Sequence, residues 1–465
     1  MAPGFASLDI AVSALRAHQK ALEVTGQNIA NANTDGYSRR RVSIVSANPA
    51  LVRTGQANVQ MGTGVAATVQ RLRDSLVDLQ VRKQATTLGY WETLRDALQH
   101  VETVFGEPSD VGLNNLMTVF FNRWEDLSND PESMAARANL RESSDNLAEA
   151  FKWIYGQLRS VRQDLNQRIQ VGVQDINVLA DQIASLNGQV AKASAAGEDT
   201  GDIRDQRDRL LDELAGLVEI SYFEDNYGSV TVSLSGRNLV SRTSTTSLAT
   251  TPDPLNGNLL AVEWADGLSS LSVQGGKLKA ALELRDVTIA NMMAEQDAIA
   301  AALVTEVNAV HSAGFGLNGA TGVSFFTGTG AEDIALTSDV VADLANIAAA
   351  SAASSPGDGS NALALAGLRS ALLMNAGTAT ISDYYLHTIV QLGAEALRSN
   401  DQAESQALIA QNISHRREQF SGVSLDEEAV DLIRYQRAYE AAARLVNVID
   451  GLLDKIINSL GTSGR

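Results

Sequence analysis

A chain of 465 residues is long enough for two or three domains at the usual ~100–200 residues each. Its 45% hydrophobic and 20% charged content is that of a globular protein, and its net charge of −19 excludes a general nucleic-acid binder, which needs a basic surface against phosphate. The absence of cysteine excludes disulfides and thiolate metal sites, and no apolar run approaches the ~18 residues that membrane insertion requires.

The N-terminal stretch has no basic segment followed by an unbroken apolar run, so no cleavable signal is expected. Leu8, Val12, Leu15, Gln19, Leu22, Gly26 and Ile29 instead recur at steps of four and three. That spacing places them on one face of a helix that wants a partner helix. Asn28 to Arg39 then reads as a helix stop and hairpin corner, because asparagine tolerates left-handed backbone and Asp35-Gly36 supplies a turn. Arg39-Arg40-Arg41 is read as a solvated or subunit-contacting strand face. Gly62-Thr63-Gly64-Val65-Ala66-Ala67 matches a dinucleotide fingerprint on paper, but its flanks look like a hairpin and a tight turn is the better reading.

Asp130 and Pro131 predict the cap and first position of a very long helix. Leu140, Leu147, Ile154, Leu158, Val161, Leu165, Ile169, Ile176, Ile183 and Leu186 carry its pattern to about Ala196, a span of roughly 100 Å at ~1.5 Å per residue. Only a rod-like bundle readily accommodates that length. A charge-rich helix comes next, over Asp202–Leu217. The texture then turns to strand, with period-two alternation in Ser229–Gly236 and a second candidate in Ala261–Trp264. Helix returns from about Lys277 to His311 and breaks at Gly314 and Gly316.

From Gly319 to Gly377 the pattern is weak and suits a small mixed subdomain. Helix resumes from Ser382 to Leu460, with a break near Ser421-Gly422. Ser424 and Glu427 have the spacing of a capping box at the start of the last segment. Leu425, Ala429, Leu432, Gln436, Tyr439, Ala443, Val446, Asp450, Leu453, Ile457 and Leu460 there repeat the heptad step of the N-terminus. Gln19 and Gln436 are placed inside the seam as polar residues that fix register. The terminal helices are expected to be marginal alone and to order fully on assembly.

Enzyme-like signals are poor. The five histidines lie far apart with no HxxxH pair, so no metal or cofactor site is expected. Asn412-Ile413-Ser414 fits a glycosylation sequon, but it falls on a predicted helix and is taken as chance.

The Asn28–Arg39 corner after an amphipathic helix, with Ser421-Gly422-Val423-Ser424-Leu425-Asp426-Glu427-Glu428 and the run Leu432–Arg444, resembles the rod, hook and hook-associated family of bacterial flagellar axial proteins. Three internal stretches, at 205–214, 276–286 and 307–317, resemble its hook-associated branch rather than a rod or hook subunit. The likeness covers both ends and most of the middle and fades between about Gly319 and Gly377.

It implies a mainly α fold with β-rich insertions (α+β). Residues 1–36 and 424–465 would form a terminal coiled-coil domain at an inner tube. Residues 37–218, 276–316 and 378–423 would form a helical bundle with a β-hairpin near 37–70, beside a β-rich insertion at 219–275 and a small outer subdomain at 317–377. It further implies a structural, non-enzymatic protein without cofactor, exported without a cleaved signal to the junction of flagellar hook and filament. The assembly interface would comprise Leu8, Val12, Leu15, Gln19, Leu22, Ile29, Asn31 and Tyr37 with Leu425, Leu432, Gln436, Tyr439, Val446, Leu453, Ile457 and Leu460. The implied partners are copies of itself in a ring or helical layer, the hook protein, the third hook-associated protein and an export chaperone on the C-terminal helix. Alternatives are a hook or distal-rod subunit, or an intracellular coiled-coil scaffold.

Overall fold

The computed structural model describes residues 3–47, 50–54, 57–61, 64–109, 112–268 and 271–461, with the backbone alone at 3–6, 50–54, 57–61 and 456–461. Helix α1 (Pro3–Ala30) opens the chain. It leads into a long hairpin, in which β1 (Arg40–Ser46) pairs antiparallel with β4 (Val65–Arg71), and β2 (Ala50–Thr54) pairs with β3 (Ala57–Met61) further out. One hairpin face is apolar: Val42, Ile44, Ala67 and Val69 pack on Ala21, Leu22 and Val24 of α1. Gly64 permits the close approach, for its φ is +99° and a Cβ there would lie 2.0 Å from Ser13 Oγ. Gly62 and Thr63 of the apparent dinucleotide fingerprint lie outside the described residues. Gly64 opens directly into strand β4 against α1, where a dinucleotide site would need a helix.

The bundle comprises α2 (Ser75–Phe105), α3 (Leu113–Asn129), α4 (Met134–Ala196) and α5 (Gly201–Leu217) in its first half. The long helix starts three residues later than Asp130 and Pro131 predict, at Met134. Asp130 closes α3, and Ser133 caps α4 by accepting the Ala136 N–H at 3.3 Å. The polar run Ser128–Ser133 holds both a helix stop and a helix start, and residue type alone did not separate them. With 63 residues α4 is about 95 Å long and buries Leu147, Ile154, Leu158, Leu165, Ile169, Ile176 and Ile183 along one stripe.

Strands β5 (Ser221–Glu224), β6 (Val230–Leu234), β7 (Arg237–Ser241) and β8 (Ser244–Thr245) form an antiparallel sheet in that order, next to the hairpin β9 (Leu248–Asp253) and β10 (Leu259–Trp264). Three asparagines of α4, about three helical turns apart, fasten them to the rod. The Asn166 and Asn177 carbonyls accept the N–H of Leu260 and of Leu248, and Asn187 bridges the Val230 N–H, Val230 O and Arg242 O.

The helix expected over 277–311 divides into α6 (Gly276–Glu283), a π-helical turn at Leu284–Thr288, and α7 (Ile289–Ala313). The turn carries Arg285, whose buried guanidinium pairs with Asp286 and donates to Asn166 and Leu260 O.

The weakly patterned segment 317–377 holds the short strands β11 (Phe326–Thr327) and β12 (Ala335–Leu336) and the helices α8 (Ser338–Ala342) and α9 (Ser360–Gly367). Its Phe325, Phe326, Ile334, Ile347 and Leu365 share one core with Trp124, Phe120 and the bundle helices. Helix α10 (Ile381–Ser421) returns antiparallel along α2, and after Gly422–Ser424 the chain ends in α11 (Leu425–Gly461) beside α1. The buried apolar residues thus form a large cluster through the bundle, sheets and 317–377, and a small one of Ala21, Val24, Val42 and Tyr435 between α1, the hairpin and α11.

Candidate assembly site at the paired chain ends

Helices α1 and α11 run antiparallel: Asn28 meets Glu428, and Val24 and Ala21 meet Tyr435. Among the described side chains of α11 the buried ones are Glu428, Tyr435, Ala442 and Ile449, one per heptad. On α1 they include Ala11, Ala17, Ala21, Val24 and Asn28. The seam therefore lies beside the expected stripes.

Leu8, Val12, Leu15 and Leu22 are half-buried on its flank, as are Leu432, Tyr439, Val446 and Leu453. Ile29 and Leu425 are exposed. Gln19 and Gln436, expected inside the seam, are exposed, which removes them as interior register residues. The reason is size. Alanines at 17, 21 and 442 leave room in the seam for Tyr435 and Ile449, and the leucines are left at its edge. The side chains of Ile457 and Leu460 lie outside the described residues.

The corner after α1 is built on Asn28, which is 1% exposed. Its Oδ1 accepts the Tyr37 hydroxyl at 2.8 Å and the Arg40 N–H at 3.1 Å, and its Nδ2 donates to Arg40 O at 2.9 Å and to Glu428 at 3.0 Å. One side chain thus holds the corner, strand β1 and the start of α11. Asn31 works locally, donating to Gln27 O and accepting the Thr34 hydroxyl at the end of α1. Burial pushes the Tyr37 phenol up to about 12, against the Arg40 guanidinium 5.5 Å from its ring.

Arg39 joins α10 to α11. Its N–H donates to Ser421 O at 2.8 Å, while its guanidinium reaches Glu427 at 2.6 Å and Glu428 at 2.7 Å. Glu427, expected to reach back in a capping box, is engaged by Arg39.

Between the two apolar clusters lies an ionic junction. Asp205, Asp208 and Asp212 fall at i, i+3 and i+7 of α5 and so share a face. Arg71 of the hairpin bridges Asp205 and Asp208 at 2.6 and 2.7 Å. Arg73 meets Asp208 at 3.0 Å and Asp78 at 2.7 Å. Arg82 of α2 spans Asp208 and Asp212, and Arg417 of α10 reaches Asp212 at 2.6 Å.

Arg40, its side chain 2% exposed, extends over the start of α5 to Asp199 and Asp202. Gly201 makes room for it, since a Cβ there would lie 2.5 Å from the guanidinium carbon. Burial disfavours the Asp208 carboxylate, yet Arg73, Arg71 and Arg82 together hold its pKa below the usual carboxylate range. Arg71 and Arg73 thus attach the terminal unit to α5, and Arg82 ties α5 to α2 within the bundle.

Arg39 and Arg40, read from sequence as a solvated or subunit-contacting strand face, are instead the clamp and the bridge of this junction. Asn28, Arg71, Arg73, Arg82, Asp205, Asp208, Asp212, Arg417 and Glu428 carry it with them. The sequence showed only the acid spacing in Asp205–Asp212, and nothing local assigns arginines 71, 73 and 82 to it.

Among the described residues no group of His, Asp and Glu could hold a metal ion, and no helix is long and apolar enough to cross a membrane. What the arrangement can do is bind helices and fix the angle between two units.

Comparison with known proteins agrees with that chemistry. The family described as flagellar hook-associated protein FlgK helical domain matches residues 98–326. Flagellar rod-protein families match the two ends, at 8–37 and 418–460. Flagellar hook-associated protein 1 of Bacillus subtilis is 32% identical, covering 100% of both chains. Its Escherichia coli counterpart is 25% identical over 96% of this chain and 98% of that one. The solved structure of the flagellar hook junction protein FlgK from Burkholderia pseudomallei shares the fold, with a TM-score of 0.67 at 16% identity over 73% of this chain and 99% of that one. The chain belongs to the flagellar hook-associated protein 1 family.

Proposed function

We propose that the chain is a structural subunit of the bacterial flagellum that joins hook to filament through its paired ends. The observation that carries this is the division of labour in the fold. Two chain ends 400 residues apart close into one helical unit at the Asn28–Glu428 contact, and an ionic junction fixes that unit to a rod about 95 Å long. An isolated globular protein has no use for a helix pair whose leucines stay outside its own seam.

Copies of the chain pack their terminal pairs into a ring or helical layer. The Leu8–Ile29 and Leu425–Leu460 stripes, with Asn31 and Tyr37, lie at the flank where neighbours make contact. The hook protein sits on one side and the third hook-associated protein on the other. Export proceeds without a cleaved signal, with a chaperone covering the C-terminal helix beforehand. The chain works by binding and geometry alone, without cofactor or catalysis.

Deletion of the gene tests the reading. Cells that build hooks but shed filament subunits into the medium support it, and normal motility rejects it. Intact mass of the chain recovered from flagella tests the export route, since a shortened N-terminus would rule out an uncleaved signal.

A further inference from the structure

Seen down its axis, α11 has three faces. The first, Tyr435, Ala442 and Ile449, is buried against α1. The opposite face is apolar and basic: Val430, Ile433, Leu445, Val448 and Leu452 are 47–66% exposed there. Turning by about 100° per residue places Arg434, Arg437, Arg444 and Lys455, the basic residues of α11, on that same side. A third, lateral face carries Glu440, Asp450 and Asp454 with Gln436, Asn447 and the small Ala443, all but Ala443 exposed. The hairpin does not cover it, since β1 lies on the other flank of the seam, near Asp431 and Tyr435.

We propose that the apolar-basic face of α11 in one copy docks on the acidic lateral face of α11 in the next. This deepens the assembly reading above and rests on it. Three observations select a second copy as occupant. The two faces are complementary in charge on one helix. The lateral face also holds the exposed Leu425 and the half-buried Leu432 and Tyr439 of the heptad stripe, so it offers apolar area beside its carboxylates. The two faces also point in different directions, so one neighbour cannot satisfy both. A contact of that kind is heterologous: each copy uses a different surface toward each neighbour, and the array closes as a ring or continues as a helix. An isologous pairing would set four basic residues against four.

The chain contains no cysteine, which makes the pairing directly readable. Ala441→Cys marks the apolar-basic face and Asn447→Cys the lateral one. Flagella from gene-deleted cells producing both variants, oxidised and run without reductant, should show a covalent dimer at least tenfold above that from either variant alone. A dimer of the same yield from Ala441→Cys alone overturns the proposal in favour of an isologous contact. No dimer, with both variants present in the flagellar fraction, overturns the pairing and leaves the junction reading standing. Absence of the unmodified chain from purified flagella overturns both.

Charge reversal gives a second readout. Arg444→Glu with Lys455→Glu, and Asp450→Arg with Asp454→Arg, should each abolish filament retention alone. Produced together they should restore it, because each reversed face then meets its complement. Failure of the mixture, with both chains exported at normal level, overturns the proposal.

Discussion

Asn28 concentrates much of the terminal unit, since its amide satisfies Tyr37, both main-chain groups of Arg40, and Glu428. Asn28→Ala removes one side chain and strands several buried partners, each at a cost of about 1–3 kcal/mol. The bundle core, which Asn28 does not touch, should be unaffected. Limited proteolysis is expected to release α11 from the variant while the bundle resists as in the parent; equal resistance of α11 in both would refute the role.

His311 makes a second residue-scale prediction. It is fully buried, its Nδ1 2.7 Å from Val323 O, and its Nε2 accepts the Ala348 N–H at 2.9 Å, so the ring is neutral and ties α7 to the 317–377 segment. Burial, with Arg137 nearby, pushes its pKa down to about 4 from 6.5, against the opposing Val323 carbonyl. The folded pKa lies below the unfolded one, so the contribution is fully present above about 6.5 and is lost as pH falls toward 4. That loss amounts to roughly 3 kcal/mol. Chemical denaturation at stepped pH should show His311→Asn less stable at neutrality and with a flatter acid slope; parallel slopes would argue against it.

At the scale of elements, the seam of α1 and α11 is closed by alanines, one valine, a tyrosine and an isoleucine, whereas α4 buries a leucine, isoleucine or valine at nearly every turn. Less apolar area is removed from water per turn, and stability falls with it. In the free chain, amide exchange across α1 and α11 should therefore run at least a hundredfold faster than across Leu147–Ile183 of α4. Equal protection would mean that the terminal pair is complete without neighbours.

The same contrast explains what the sequence revealed. Large residues at steps of three and four made α4 legible almost to its ends, and Gly422 marked the α10–α11 break. The terminal helices were legible as helices, but heptad reading follows the leucines, and here those lie beside the seam. The junction was hidden for another reason: Arg71, Arg73 and Arg82 meet Asp205–Asp212 across more than a hundred residues, a separation that no local pattern registers. The 317–377 segment escaped because its core residues Phe325, Phe326, Ile334, Ile347 and Leu365 keep no regular spacing, and Arg137 of α4 holds Leu344 O and Ile347 O from outside it.

At the scale of the whole molecule the charge is unevenly divided. Residues 1–73 and 424–465 carry 13 of the 36 Lys and Arg and 10 of the 55 Asp and Glu, leaving 23 against 45 for the rest. The terminal unit is thus close to neutral, at +3, and the bundle with its insertions holds −22. When copies associate through their ends, the acidic bodies are brought side by side. Their repulsion opposes association and is long-ranged at low salt, where the Debye length is about 30 Å at 0.01 M, but it shrinks to about 8 Å at 0.15 M. The few ion pairs on α11 weaken over the same range, yet they are exposed and worth only about 0–1 kcal/mol each. The apolar part of the contact is not screened at all. Body repulsion should therefore dominate the salt response, and self-association of the full chain, followed by sedimentation, should strengthen as ionic strength rises from about 0.01 to 0.15 M. Association that weakened with added salt would mean that ion pairing at the ends outweighs repulsion between the bodies.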